Sequence, residues 1–347
     1  MINYETLFVM PPFGLRQSDK DDLYKQAVME LSRHHYEHCE AYKKLSKVLG
    51  LGRPLPVRLF KKYELLSIDK EKIVKTMTSS GTTGQAVSKI YLDRENSARQ
   101  TKVLAKIVSD FTGKARMPML IIDSTAVLKN RDMFSARGAG ILGFSILGRD
   151  ITYALDEKMN LNLQAIEDFC QKHTGEKILV FGFTFMIWEH FYLALKKRGI
   201  SFSLNGVMIH GGGWKKLRDL SVDNETFKNE IRSAAGIDQV LNYYGMVEQT
   251  GSIFMECEYG HLHASIFSDI SIRNPLDFSE LPSGKGLIQC TSLLPTSYPG
   301  HVLLTEDEGE LLGVDDCPCG RLGKYFKVHG RVKGAEIRGC SDTYERR

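Results

Sequence analysis

Apolar and polar positions along the chain follow three rhythms in turn. Over residues 18–48, Leu23, Ala27, Met29, Leu31 and Tyr36 recur among many charges, a polar helical pattern that Gly50, Gly52, Pro54 and Pro56 then stop. The middle of the chain alternates strand and helix. Residues 117–123 form an apolar strand run and residues 151–155 another, after which Leu163, Ile166, Phe169 and Cys170 return at helical spacing. The clearest unit is a strand over 178–182, a helix with Thr184 as N-cap that ends at Gly199, a strand over 207–210, a helix over 224–235 and a strand over 240–244. That βαβαβ order predicts a parallel sheet. After about Gly251 the texture changes to short alternating runs, at 265–272, 286–291 and 302–305, separated by proline and glycine turns. These predict an antiparallel sheet or barrel. The expected organisation is an opening helical segment over 1–53, a large α/β domain over 54–328 whose antiparallel part begins near 252, and a hinge and tail over 329–347.

Composition narrows the functional classes. The 347 residues are 42% hydrophobic and 25% charged, as in ordinary soluble proteins that bury a substantial core. The net charge of +4 comes from scattered basic residues, so no nucleic-acid footprint is expected. The first residues carry Glu5 and only a short apolar run, Leu7-Phe8-Val9-Met10, which fits neither a signal peptide nor a membrane span. No membrane association and a cytoplasmic location are therefore expected. Seven unevenly spaced cysteines suit reduced thiols or metal ligands better than a disulfide framework.

Chemistry enters at the loop Thr78-Ser79-Ser80-Gly81-Thr82-Thr83-Gly84, which lies between Lys75 and a strand-like run over 88–91. Its glycines let backbone N–H groups turn toward an anion, and its hydroxyls add donors. It lacks the Gly-Lys-Ser/Thr of a Walker loop, and Lys89 is the nearest base. Ser/Thr/Gly clusters also make ordinary loops. The predicted parallel strands end in His210-Gly211-Gly212-Gly213-Trp214 and Tyr243-Tyr244-Gly245. Ligands of open α/β sheets gather at such carboxyl ends. Cys257, with His261 and His263 close behind, and the turn Cys317-Pro318-Cys319 offer donors of the type and number that suit tetrahedral Zn²⁺. A proline and glycine turn with unpaired thiols is the competing reading. The aromatic run Phe181 to Tyr192 is a candidate acyl-pocket wall or plain core.

The loop, followed by Tyr244-Gly245-Met246-Val247-Glu248, Thr305-Glu306-Asp307 and His329-Gly330-Arg331, resembles the adenylate-forming superfamily of acyl-CoA ligases, firefly luciferase and peptide synthetase adenylation domains. A narrower resemblance rests on Leu55-Pro56-Val57-Arg58-Leu59-Phe60-Lys61-Lys62, the loop itself, His210 to Lys216, and Gly330-Arg331-Val332-Lys333 running on to Cys340. These look like the acyl-protein synthetases of bacterial bioluminescence, which activate a fatty acid and pass it to a reductase subunit. The resemblance implies an α/β fold with a large adenylate-forming domain, an antiparallel sub-barrel and a truncated small C-terminal domain. It implies ATP and Mg²⁺ as cofactors, with Thr78 to Gly84 and Gly211 to Gly213 around the nucleotide. Tyr244 would lie on adenine, Asp307 on the ribose, Arg331 on the nucleotide and Glu248 on Mg²⁺. Lys333, or Lys215 and Lys216, would stand in for the lysine of a full small domain, since the chain ends soon after Gly330. Cys340 would take the acyl group as a thioester on its way to a partner reductase or carrier protein. Relatives of the phenylacetate-CoA ligase type carry a zinc, implying Cys257, His263, Cys317 and Cys319 as its ligands. The alternatives are a phenylacetate-type acid-CoA ligase and a non-catalytic nucleotide-binding accessory subunit.

Overall fold

A computed structural model describes residues 2–79, 86–128, 134–214 and 221–332. No helix among them is long and apolar enough to cross a membrane. One mixed sheet of 13 strands forms the backbone of the fold. Its parallel part runs, edge inward, through Gly148–Tyr153, Met117–Ile121, Ile178–Phe183, Gly206–Gly211 and Gln239–Tyr244. The three central strands, Met117–Ile121, Ile178–Phe183 and Gly206–Gly211, are buried almost throughout, as parallel strands covered on both faces are. The predicted elements appear in order. The helix Asn224–Ala235 has the bounds its pattern gave, with Asp223 accepting from Thr226 N and Gly236 closing it in the left-handed region at φ +68°. The helix starting at Thr184 departs from expectation: its middle, Ile187–Tyr192, is π-helical, and Phe183, not Thr184, occupies the N-cap position.

The antiparallel part is continuous with the parallel part. Phe254–Glu256 pairs with the last parallel strand, Phe254 opposite Tyr244, and Leu262–His263, Lys324–Arg331, Val302–Val314, Lys285–Ser292 and Ser268–Arg273 follow. The short run expected over 302–305 is a 13-residue strand. Its alternation is broken by two register shifts, which locally reset which face a side chain takes. The strand order is open at both ends among the described residues, so of the antiparallel sheet or barrel expected here it is the sheet that forms, continuous with the parallel strands.

The opening helical pattern is two helices, Gln17–His38 and Glu40–Leu49, broken at Cys39, whose Sγ accepts from Tyr42 N at 3.4 Å. The longer one is tied to the antiparallel strands by buried polar contacts. Lys20 Nζ lies 3.2 Å from Asp269 Oδ1, Lys324 Nζ 2.9 Å from Asp269 Oδ2, and Tyr24 Oη donates to Ile266 O. Two cations around one carboxylate offset the desolvation that would otherwise penalise each. Leu55–Pro56 then pairs in parallel with Leu303–Leu304, which brings the segment before the phosphate loop onto the long strand.

Candidate active site

Thr78 ends the strand Lys75–Thr78, which pairs with Lys89–Leu92 in a separate three-stranded sheet. Thr78 is buried, and Ser79 and Ser88 close the base of the loop, Ser79 N donating to Ser88 O and Ser88 N to Ser79 Oγ. Met77 of this strand belongs to the hydrophobic cluster against which Met246 and Val247 pack. This strand and the Tyr-Gly-Met-Val-Glu segment are thereby held together by shared core, although 166 residues of sequence separate Met77 from Tyr243 on the neighbouring sheet.

Gly211 stands in register with Phe183 on one side and Tyr243 on the other. A Cβ on Gly211 would lie 2.4 Å from Tyr243 Cε1, so only glycine lets that ring cross the strand end. Gly212 takes φ +82°, and both Gly212 and Gly213 are exposed. Tyr244 donates its hydroxyl to Asp307 Oδ2 at 2.8 Å, with Phe254 and Phe326 around its ring. Burial, and after it the Asp307 carboxylate, push the Tyr244 phenol pKa well up, so it remains a donor. Asp307 faces Arg331 across the strands Val302–Val314 and Lys324–Arg331, with Arg331 Nε 3.6 Å from Asp307 Oδ1. Arg331 also approaches Glu306, to which Arg58 donates, so the Pro56-Val57-Arg58 motif reaches the same corner.

Glu248 lies buried in the short turn Val247–Gln249. Its backbone carbonyl accepts from Tyr298 Oη at 2.9 Å, and Gln249 Nε2 donates to Gly300 O at 2.8 Å. Sequence reasoning missed Tyr298, Gln249 and Arg58 as supports, because each acts through a partner dozens to hundreds of residues away. It also missed the link between Thr184 and His210: Thr184 Oγ1 lies 3.0 Å from His210 Nδ1 and donates to Gly211 O at 3.1 Å. Ser80, Gly81, Thr82, Thr83, Gly84, Lys215, Lys216, Lys333 and Cys340 lie outside the described residues.

The cysteine and histidine donors converge as well. One donor atom each from Cys257, His263, Cys317 and Cys319 lies within 4.8 Å of the others. Cys319 Sγ is 3.4 Å from His263 Nε2, and Cys257 Sγ is 4.0 Å from Cys317 Sγ. The hairpin of Phe254–Glu256 and Leu262–His263 supplies two donors, and the turn before Lys324–Arg331 supplies the other two. His261 stays outside this set: its Nδ1 is 3.3 Å from Cys317 Sγ while its ring stacks on Tyr325. Burial pushes the Cys317 thiol up to about 12 and, with Arg321 and His261 adding to it, holds His263 down to about 4. Without a cation Cys257 and Cys317 stay protonated and His263 neutral, and a divalent ion would displace the thiol protons. Three thiolates and one imidazole, three of the four buried, fit a tetrahedral structural Zn²⁺.

The fold is that of the adenylate-forming ligases, the class of enzyme that activates a carboxylic acid with ATP as an acyl-adenylate. Within that class the chain belongs to the acyl-protein synthetase family, LuxE, whose family model matches residues 3–347. A long-chain-fatty-acid–luciferin-component ligase of Vibrio harveyi is 22% identical over 362 residues, covering 97% of this chain and 91% of that protein. Among solved structures, an open conformation of 2-hydroxyisobutyryl-CoA ligase in complex with 2-HIB-AMP and CoA superposes with a TM-score of 0.69 at 14% identity, covering 92% of this chain and 76% of that one. ATP-bound MatB from Rhodopseudomonas palustris gives a TM-score of 0.50 at 15% identity, covering 77% of this chain and 49% of that one.

Proposed function

We propose that this enzyme activates a long-chain fatty acid and delivers the acyl group through its own Cys340 to a partner protein. The observation that carries the nucleotide half is the cluster of Tyr244, Asp307 and Arg331 beside the Gly211-Gly212-Gly213 strand end, with the buried Glu248 turn packed onto the phosphate-loop strand. A substrate carboxylate oxygen attacks the α-phosphorus of ATP and pyrophosphate leaves. Charge building on the phosphates is met by the donors of Thr78, Ser79 and the loop that follows, and by Lys333. Mg²⁺ held by Glu248 and the phosphates would neutralise part of that charge. Asp307 holds the ribose hydroxyls and Tyr244 lies against adenine, with Arg331 on the nucleotide. The Cys340 thiolate then attacks the acyl carbon and AMP leaves. A thiol acceptor on the partner takes the acyl group by exchange. The fatty acid follows the relative named for one. Zn²⁺ on Cys257, His263, Cys317 and Cys319 would staple the hairpin to the strand carrying Arg331, with no part in the chemistry.

ATP–pyrophosphate exchange screened across fatty, aromatic and amino acids tests the first half. Exchange with long-chain fatty acids is expected; exchange with none of the acids would overturn the adenylation reading. With radiolabelled acid, Cys340→Ser should lose the covalent thioester and keep exchange. Acyl transfer to free coenzyme A with no protein acceptor needed would favour the acid-CoA ligase alternative instead.

A further inference from the structure

The carboxyl end of the strand Gly206–Gly211 carries a buried imidazole that the reaction as described does not use. His210 is 2% exposed, stacks on Phe227 with ring centroids 4.4 Å apart, and its Nε2 meets no partner among the described residues. Its other nitrogen, Nδ1, lies 3.0 Å from Thr184 Oγ1. A threonine hydroxyl has one hydrogen, and that hydrogen goes to Gly211 O at 3.1 Å. Thr184 Oγ1 therefore accepts from His210, which fixes the tautomer with its proton on Nδ1 and a bare Nε2. Burial holds the His210 pKa down to about 3, so the imidazole is neutral and the direction of this chain of bonds does not change with pH in the working range.

The consequence falls on the Gly211–Gly212 peptide. Its carbonyl is held by Thr184, and in a trans peptide the following N–H points the opposite way. Gly212 N–H is thus turned away from Thr184, at a residue that is exposed and sits at φ +82°. The Tyr243 ring lies against Gly211, and Phe183 Cδ1 is 3.3 Å from where a Gly212 Cβ would be. Two rings and one hydroxyl hold a peptide that glycine would otherwise leave free to rotate.

We propose that His210 and Thr184 are positioning residues, whose linked hydrogen bonds pre-orient the Gly211–Gly212 peptide so that Gly212 N–H meets the bound nucleotide. This rests on the reading of Gly211 to Gly213 as a nucleotide-binding strand end. Pre-orientation removes the ordering cost that a mobile peptide would add to each binding event.

Calorimetric titration of the full chain with ATP needs no knowledge of the acid. Thr184→Val, which keeps the shape and removes both bonds, should weaken ATP about tenfold, and Thr184→Ser should restore affinity to within threefold. His210→Asn places an amide N–H near the Nδ1 position and should bind within threefold of the native chain, whereas His210→Leu should behave as Thr184→Val does. Melting temperatures separate positioning from bulk structure: a lower melting temperature in Thr184→Val with native ATP affinity overturns the proposal. Gly212→Ala, strained at a positive φ, is the control on the underlying reading. If it weakens ATP while Thr184→Val does not, only the positioning role falls. If neither variant affects ATP, the nucleotide reading of the strand end falls with it.

Discussion

The strand Lys324–Arg331 carries two different kinds of site at its two ends. Near Tyr325 it meets the Cys257, His263, Cys317 and Cys319 cluster, and at Arg331, about 20 Å further along at strand rise, it meets Asp307, Tyr244 and Glu306. At the first end Cys257, Cys317 and His263 are buried and neutral as they stand, close to Phe13, Phe111 and Tyr325. At the second the side chains are charged, half-buried, and paired loosely with one another, Arg331 at 3.6 Å from Asp307 and 3.9 Å from Glu306. A cluster of buried neutral donors gains most from a permanent cation. Charged groups paired at long distance, with solvent access, are suited to exchanging partners with a ligand that comes and goes. Burial and charge state thus differ between the two ends of one strand, and the structural and catalytic roles proposed for those ends follow that difference.

The strongest way to break this comparison is at the cysteine end. Cys317→Ala should abolish one equivalent of bound zinc by metal analysis and cost on the order of 4 kcal/mol of stability, as loss of a structural metal does. Below its lowered melting temperature the variant should keep native ATP affinity; a variant that melts normally yet fails to bind ATP would put the cluster in the active site. At the other end the pattern should invert. Asp307→Ala should lower acyl-adenylate formation about 100-fold, roughly 2.7 kcal/mol of transition-state stabilisation, with little change in melting temperature. A full-rate Asp307→Ala enzyme would remove the ribose assignment.

A pH series probes burial in the nucleotide half and along the helical seam. His35, His210 and His301 are all buried and held neutral by desolvation, the last two down to about 3, and the rings of His35 and His301 lie 4.9 Å apart. Their folded pKa values lie below the unfolded value of about 6.5. Below that pH the unfolded chain binds more protons, so the stability these groups provide is present above about pH 6.5 and is lost as pH falls. Each histidine should contribute on the order of 1 kcal/mol per pH unit to that loss. Urea unfolding at pH 7 and 5 reads it, and equal stability at both would contradict neutral burial. The smallest effect is expected from Tyr244→Phe, which removes one hydrogen bond to Asp307 and keeps the ring. About 1 kcal/mol, or a fivefold rise in KM for ATP, should follow; a much larger loss would mean that the hydroxyl itself touches substrate.

Much of the fold was legible because local signals there agreed with one another. The strands Ile178–Phe183, Gly206–Gly211 and Gln239–Tyr244 differ from their expected bounds by a residue, and Asn224–Ala235 carries both its cap residue and its terminal glycine in the sequence. The opening helix was read without its break, since Cys39 is an uncommon cap and its bond to Tyr42 N is visible only in three dimensions. The long strand Val302–Val314 was read short because its bulges break the period of two that marks a strand. Thr184 was read as a cap from its place before a helical run, while its hydroxyl is engaged across the sheet at Gly211.

By itself the sequence determined the order of the elements, the family resemblance and the residue types of both sites, because periodicity, turn residues and motif spacing are properties of neighbours along the chain. Only the tertiary structure decided which donors meet. It brought Cys257, His263, Cys317 and Cys319 to within 4.8 Å of one another, placed Asp307 between Tyr244 and Arg331, and joined His210 to the Gly211–Gly212 peptide through Thr184. The physical reason is register: which residues stand opposite each other is set by strand pairing across the whole sheet, and a shift of one residue would send Tyr244, Asp307, His210 and His263 to the other face.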